Sequence, residues 1–141
     1  MNRNELVAQC QQGRRDFSGL DLRKEDLYLI DLSGFNLSGV TFLQANLWSS
    51  NLSKADLTDT DLRETTLYRA CLCQAVAARA NLEKSDLSSA DLLKADFSEA
   101  NLKGASLIFV YLDQTNLRGA QLDQVSFKGL RIEEVLLSSP F

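Results

Sequence analysis

The chain of 141 residues contains no histidine, one proline and one tryptophan. Without histidine, the commonest general base is missing, and so is the usual partner that activates a serine or cysteine nucleophile. The sequence also has no phosphate-binding glycine loop. We therefore expect a protein that is not an enzyme, with no catalytic residues and no cofactor.

Cysteine is scarce, and the three that are present form an odd number without a regular spacing. Such a set argues against a disulfide framework and fits free thiols in a reducing compartment. Cys71 and Cys73 flank Leu72, so both are expected to face outward. A zinc site usually needs four ligands, and no histidine is available to complete one here. We expect free thiols at this pair and no metal site.

Long apolar runs are absent as well. No stretch approaches the ~20 apolar residues of a membrane span, and the N-terminal sequence lacks the apolar segment of a signal peptide. We therefore expect a cytoplasmic protein that does not enter a membrane. With 19 acidic and 15 basic residues the net charge is −4, and this acidic balance disfavours direct binding of nucleic acid.

What the chain does contain is one five-residue repeat. Between Ala80 and Leu102 it reads Ala-Asn-Leu-Glu-Lys, Ser-Asp-Leu-Ser-Ser, Ala-Asp-Leu-Leu-Lys, Ala-Asp-Phe-Ser-Glu and Ala-Asn-Leu. From Phe17 to Leu137 in steps of five there are (137 − 17)/5 + 1 = 25 central positions, of which 23 are Leu or Phe. The residue before the centre is Asp or Asn in 15 of these repeats. Such periodicity is typical of a solenoid.

A period of five fits neither regular element. On a helix, successive centres would spiral around every face, and on a flat strand they would alternate between opposite faces. All centres point inward only if the chain turns a corner within each repeat. The coils would then stack as parallel strands about 4.8 Å apart.

This pattern resembles the pentapeptide-repeat family, whose motif is A(D/N)LXX, over nearly the whole chain. The resemblance implies an all-β fold, a right-handed quadrilateral parallel β-helix with four repeats per coil, which here makes about six coils. In a coil of twenty residues, Ala77 would stack between Leu57 and Phe97, so that a small residue lies beside a large ring.

The predicted organisation is an N-terminal capping helix over residues 1–14, the repeats over 15–137 and a short tail over 138–141. Asn2 or Asn4 is a suitable helix cap, and Gly13 lies where a helix commonly ends. The helix would cover the open end of the solenoid. Glu25 occupies an inward position of the first coil, and we expect it to bend outward, near Arg14 or Arg15, because burying an unpaired carboxylate is costly.

The aspartates before the centres have a structural explanation. Short Asp and Asn side chains hydrogen-bond to nearby backbone and favour turns, as a corner in every repeat requires. We interpret them as corner residues and not as catalytic carboxylates; they are Asp16, Asp21, Asp26, Asp31, Asp56, Asp61, Asp86, Asp91 and Asp96.

One set of outward residues suggests a binding surface. In a coil of twenty residues, the position after the centre places aromatic side chains in one column, and the candidate protein-binding residues are Tyr28, Trp48, Tyr68, Ile108, Phe109 and Tyr111. Exposed aromatic residues often mark protein interfaces. The alternative is a ladder of stacked rings that stabilises the rod.

We therefore expect a non-enzymatic scaffold that presents a flat face to an unidentified protein partner. The alternative, drawn from the resemblance, is a DNA-mimicking inhibitor or protector of DNA gyrase. Charges of both signs along the outward positions do not favour that alternative. The apolar C-terminal segment is either an irregular cap or a dimerisation surface, so the protein is predicted to be a monomer or a dimer through its C-terminal end.

Overall fold

The computed structural model describes residues 1–130 and, further on, the backbone of a short strand. Its elements are α1 (Arg3–Gln11), β1 (Thr115–Asn116) and β2 (Val135–Leu136). In the described part of the chain, no helix is long and apolar enough to cross a membrane. The C-terminal tail and the predicted dimerisation surface lie outside the described residues, apart from the backbone of β2.

The repeats form a solenoid in which one turn takes twenty residues. Every backbone bridge is parallel and joins residues twenty positions apart, as in the successive pairs of Asp16 with Asn36 and Asn36 with Asp56. The last such pairing joins β1 to β2, with Thr115 opposite Val135. One turn therefore contains four repeats. The right-handed winding and the total of about six coils remain predictions.

The coils are held together by bridges and not by long strands, which differs from the predicted stack of parallel strands. Outside β1 and β2, each pairing is a single bridge at the Asp or Asn position, because the chain turns immediately afterwards. The turn is closed by a backbone hydrogen bond across the two outward residues. For example, the Ala90 N–H donates to the carbonyl oxygen of Leu87 at 2.9 Å.

Each of these turns requires a left-handed residue at the second outward position. At all 23 such positions from Gly19 to Gly129, in steps of five, φ lies between 51° and 71°. Only six of the 23 are glycine, and the other 17 include Lys54, Arg69 and Phe109. A positive φ at this point is what a type II turn demands. The fold thus places ordinary residues in a conformation that favours glycine.

The core is a column of centres and small residues. All 21 centres from Phe17 to Leu117 are at most 4% exposed. Ala77 is fully buried. It lies in one column with Leu57 and Phe97, as shown by the backbone bridges between the residues that precede these three centres. The predicted match of a small residue to a large ring is confirmed.

The corner function of the Asp and Asn side chains is also confirmed. In most repeats the Oδ1 atom accepts a hydrogen bond from the backbone N–H two residues later, as Asp86 does from Ser88 at 2.9 Å. Asp26 is an exception among the nine aspartates, because its Oδ1 accepts from the Asn46 side chain of the next coil at 2.7 Å. These carboxylates therefore have structural partners.

Helix α1 caps the first coil, as predicted, within narrower bounds than residues 1–14. Asn2 is the N-cap, and its side chain and that of Glu5 satisfy each other's backbone N–H groups in a capping box. At the other end, Gly13 has φ +93°, and the Arg14 N–H reaches back to the Gln9 carbonyl. This Schellman arrangement ends the helix. Leu6 is fully buried against the core.

The predicted neighbours of Glu25 were wrong. Its Oε2 accepts a hydrogen bond from the Arg3 N–H at 3.1 Å, so the carboxylate lies at the N-terminus of α1. That end of a helix carries free N–H groups and a partial positive charge, which stabilise an anion. The Arg14 and Arg15 guanidinium groups instead cover the rings of two core residues, Phe17 and Phe35, at 4.5 Å and 4.8 Å.

Candidate functional site

The aromatic column predicted from the sequence lies on one side of the solenoid. The side is defined by backbone hydrogen bonds between successive coils: Leu29 N–H to the Trp48 carbonyl, Ser49 N–H to the Tyr68 carbonyl, and Ser89 N–H to the Ile108 carbonyl, at 2.9, 2.9 and 2.8 Å. We call this side, built from the repeats centred on Leu27, Leu47, Leu67, Leu87 and Leu107, the aromatic face.

Exposed apolar side chains are concentrated on this face. Six large apolar residues are exposed among those described, and four of them belong to the aromatic face: Tyr28 (42%), Leu29 (59%), Trp48 (37%) and Phe109 (60%). The other two are Val76, on another side, and Phe127, a repeat centre that follows Leu107 on the same side in the next coil. Leu29 was missed by the sequence interpretation, although its position, directly after Tyr28 in the same repeat, places it on the same face.

Three of the predicted residues are less exposed than the others. Tyr68 and Ile108 are half-buried, in line with Tyr28 and Trp48. Tyr111 is also half-buried, but it bridges Asp91 and so belongs to the adjoining side of the solenoid. The Phe109 ring lies over Gly129 of the next coil, where an added Cβ would clash with it.

The aromatic residues of the column do not stack on one another. Within residues 1–130, the stacked ring pair is Phe17 with Phe35, at 5.8 Å between centroids, beneath the cap. The Tyr28 ring instead lies 4.9 Å from the Arg3 guanidinium, and the Tyr68 ring lies 5.7 Å from that of Arg69. Arginine over an aromatic ring is a favourable cation–π arrangement. A ladder of stacked rings therefore does not account for the column.

Some of the exposed charges on the other sides form ion pairs. Arg63 contacts Asp61 at 2.7 Å within one repeat, and Arg79 contacts Asp59 of the preceding coil at 2.8 Å. Hydrogen bonds from these arginine side chains are the main cause that lowers the pKa of both carboxyl groups. Each of these pairs places a positive group beside an exposed carboxylate.

Cys71 and Cys73 both lie half-buried at the outward positions that flank Leu72, as predicted, and their Sγ atoms are 3.2 Å apart. Burial, and then contact with Cys71 and Asp91, raises the pKa of the Cys73 thiol. Within the described part of the chain, no three His, Cys, Asp or Glu side chains are grouped in a way that would hold a metal ion.

The stacked five-residue turns and the uniform pairing at twenty residues define a repeat solenoid. The family model for pentapeptide repeats (8 copies) matches residues 26–67, 42–76, 67–104 and 100–138. The chain therefore belongs to the pentapeptide-repeat family, as its motif indicated. No curated protein matches the chain.

Solved structures of the same family are similar to the chain. HetL, a pentapeptide repeat protein involved in heterocyst differentiation regulation in the cyanobacterium Nostoc sp. strain PCC 7120, is 26% identical; the match covers 89% of this chain and 72% of HetL, with a TM-score of 0.44. A pentapeptide repeat protein of the Arabidopsis thaliana thylakoid lumen is 25% identical over 68% of each chain, with a TM-score of 0.48. QnrB1, a plasmid-mediated fluoroquinolone resistance protein, is 14% identical over 84% of this chain and 65% of its own, with a TM-score of 0.45.

Proposed function

We propose that this pentapeptide-repeat protein is a non-enzymatic cytoplasmic scaffold whose aromatic face binds a protein partner. In this proposal the repeats form a right-handed quadrilateral rod of about six coils. The rod holds Tyr28, Trp48, Tyr68, Ile108 and Phe109 in fixed rows, and Tyr111 extends the surface around the adjoining corner.

The observation that carries the proposal is the concentration of exposed apolar side chains on one side. Four of the six exposed large apolar residues among those described lie there. Scattered exposed apolar residues are normal, but a contiguous set is typical of an interaction surface. Trp and Tyr also dominate the binding energy of protein interfaces.

The rigidity of the rod favours this function. The backbone N–H and carbonyl groups beneath Trp48 and Tyr68 are bonded to the neighbouring coils, so the rows do not have to be ordered when a partner arrives. A surface that is already ordered loses less conformational entropy on binding. From Tyr28 to Ile108 there are four coil spacings, or about 19 Å at ~4.8 Å per coil. The matching partner is a protein with an apolar stripe of about that length.

The experiment compares Trp48→Ser with Leu43→Ser. Leu43 occupies the same repeat position as Trp48 on a different side and is half-buried, so it is a matched control. Each purified variant is used as bait for affinity capture from the source cell, and its melting temperature is measured in parallel. We expect Trp48→Ser to lose the partner while its melting temperature stays close to that of the parent, and Leu43→Ser to retain the partner.

A stabilising function for the column gives a different result. If Trp48→Ser clearly lowers the melting temperature and still captures the same partner, the aromatic face supports the rod and does not bind. Equal loss of capture in both variants also contradicts the proposal, because it would not assign the partner to one side.

The second candidate function is a DNA-mimicking inhibitor or protector of gyrase. A DNA mimic needs a negative field like that of a duplex. Here Asp21, Asp59 and Asp61 each form an ion pair with an arginine at 2.7 to 2.8 Å. These pairs reduce the negative field, so we favour the protein-binding scaffold.

A further inference from the structure

The fold repeatedly brings together the two side chains that flank a buried centre. The Ser38 Oγ lies 2.7 Å from the Asn36 Oδ1, and the Ser53 Oγ lies 2.7 Å from the Asn51 Oδ1. Arg63 and Asp61 meet in the same way around Leu62. The contact between these positions is therefore a property of the corner and does not depend on one pair of residues.

Cys71 and Cys73 occupy these two positions around Leu72, and the structure holds their Sγ atoms 3.2 Å apart. Both are free thiols. A disulfide bond of about 2.05 Å requires the sulfur atoms to approach by roughly 1.2 Å. Within the described residues, no third His, Cys, Asp or Glu side chain is grouped with the pair to hold a metal ion. Two adjacent thiols without further ligands are better suited to a disulfide than to a metal site.

We propose that Cys71 and Cys73 form a reversible thiol–disulfide site that reacts with low-molecular-weight disulfides such as oxidised glutathione. One cysteine thiolate attacks a sulfur atom of the small disulfide, which forms a mixed disulfide and releases one small thiol. The second cysteine attacks the mixed disulfide, forms the internal Cys71–Cys73 bond and releases the second small thiol. The two protein thiol protons end on the two small thiols, so atoms and electrons balance.

The environment assigns different steps to the two cysteines. The Cys73 Sγ also lies 4.0 Å from the Asp91 carbonyl oxygen, and burial, followed by the contacts with Cys71 and Asp91, raises the pKa of its thiol. Both features disfavour the Cys73 thiolate, so Cys73 is the slower first nucleophile. Cys71 therefore makes the first attack. Cys73, already in contact with the Cys71 sulfur, then resolves the mixed disulfide. This site is separate from the aromatic face and does not rest on the proposed function.

The test uses the full chain with Cys10→Ser, so that only the pair remains. The protein is incubated with oxidised glutathione, quenched with acid and measured by intact mass. We expect a monomeric product that has lost two hydrogens and retains no glutathione, and that dithiothreitol returns to two labelled thiols. Because the thiols are held in contact, the internal disulfide should exceed the glutathione adduct by about tenfold or more.

Two single variants identify the steps. In the same background, Cys73→Ser should accumulate one glutathione on Cys71, because the resolving thiol is gone. Cys71→Ser should react more slowly, because only the slower nucleophile is left. The Cys10→Ser chain unfolded in urea is the control that tests whether the fold holds the two thiols together. It should give a lower ratio of internal disulfide to glutathione adduct than the folded chain.

Several results would overturn the proposal. They are recovery of two free thiols after oxidation, stable glutathione on both cysteines, a disulfide-linked dimer as the main product, or the same product ratio in the folded and unfolded chains. Faster reaction of Cys71→Ser than of Cys73→Ser would reverse the assigned order of attack and contradict the mechanism.

Discussion

Replacing Gly34 with alanine should destabilise the rod through its backbone alone. Gly34 has φ +71°, and an added Cβ would meet no atom within 4 Å, so no steric clash is introduced. An L-residue in the left-handed region costs roughly 1–2 kcal/mol. Alanine also lowers the conformational entropy of the unfolded chain relative to glycine, and this offsets about 0.4–1 kcal/mol of that cost. We expect Gly34→Ala to lower the free energy of unfolding by about 1 kcal/mol.

The same reasoning predicts the opposite sign in the next coil. Lys54 occupies the equivalent turn, has φ +58° and makes the same backbone hydrogen bond to the coil that follows it. Lys54→Gly should therefore stabilise the chain by a similar amount, about 1 kcal/mol, because it removes the left-handed cost. Lys54→Ala is the matched control and should change stability by less than about 0.5 kcal/mol, since a Cβ remains.

Urea denaturation of all three variants measures these differences as shifts of the midpoint at an unchanged slope. The reasoning fails if Lys54→Gly destabilises the chain as much as Gly34→Ala does. It also fails if Lys54→Ala stabilises the chain as much as Lys54→Gly, because the effect would then come from the lysine side chain and not from the backbone conformation.

Four further outcomes are expected. Leu87→Ala should cost about 2–5 kcal/mol in a denaturation curve, because it removes a fully buried centre and leaves a cavity, and a cost below about 1 kcal/mol would contradict the closely packed core. Ser50→Ala should stabilise the chain by about 1 kcal/mol, because the buried Ser50 hydroxyl has no hydrogen-bond partner in the described structure. Ser85→Ala should not stabilise it, because the Ser85 hydroxyl donates a hydrogen bond to a carbonyl oxygen at 2.7 Å. Stability should fall as the pH drops below about 4, because Arg63 lowers the pKa of the Asp61 carboxyl in the folded chain and the unfolded chain therefore binds more protons in that range. Asp61→Asn should make stability depend less on pH there. An unchanged pH dependence in this variant would contradict the explanation. The purified protein should neither inhibit gyrase supercoiling nor protect the enzyme from quinolones at one protein per enzyme, and clear inhibition would favour the DNA-mimic alternative.

The sequence predicted the features that follow directly from its period. The burial of the centres, the placement of Ala77 and the corner function of residues such as Asp86 all depend on local pattern, and the structure confirms them. The N-cap at Asn2 and the helix end at Gly13 were predictable for the same reason, since both positions carry residues with strong local preferences.

Features that depend on the packing of one segment on another were harder to predict. Arg14 and Arg15 are close to the first coil in sequence, but their guanidinium groups cover aromatic rings, and the N-terminus of α1 reaches Glu25 instead. The left-handed turns were also missed, because residues such as Lys54 and Phe109 have no preference for that conformation. Packing and hydrogen bonds between coils impose it on them.

The aromatic face includes one feature that the sequence predicted and one that it did not. Its column of aromatic residues followed from the period once a coil of twenty residues was assumed. The arginines beside Tyr28 and Tyr68 did not follow, because Arg3 reaches its ring from the capping helix and Arg69 from a left-handed turn. The stacked ladder considered from the sequence is therefore replaced by rings that are partly covered by cations.

Site-specific crosslinking is the most direct measurement of the central claim that the aromatic face binds a protein partner. A photoreactive amino acid is placed at position 48 in one full-length chain and at position 43, on a different side, in another, and both chains are irradiated in the source cell. We predict one crosslinked protein partner from position 48 and none, or far less, from position 43, because the residues that dominate an interface contact the partner directly. Crosslinking of the same protein with equal yield from both positions, or from position 43 alone, would contradict the claim.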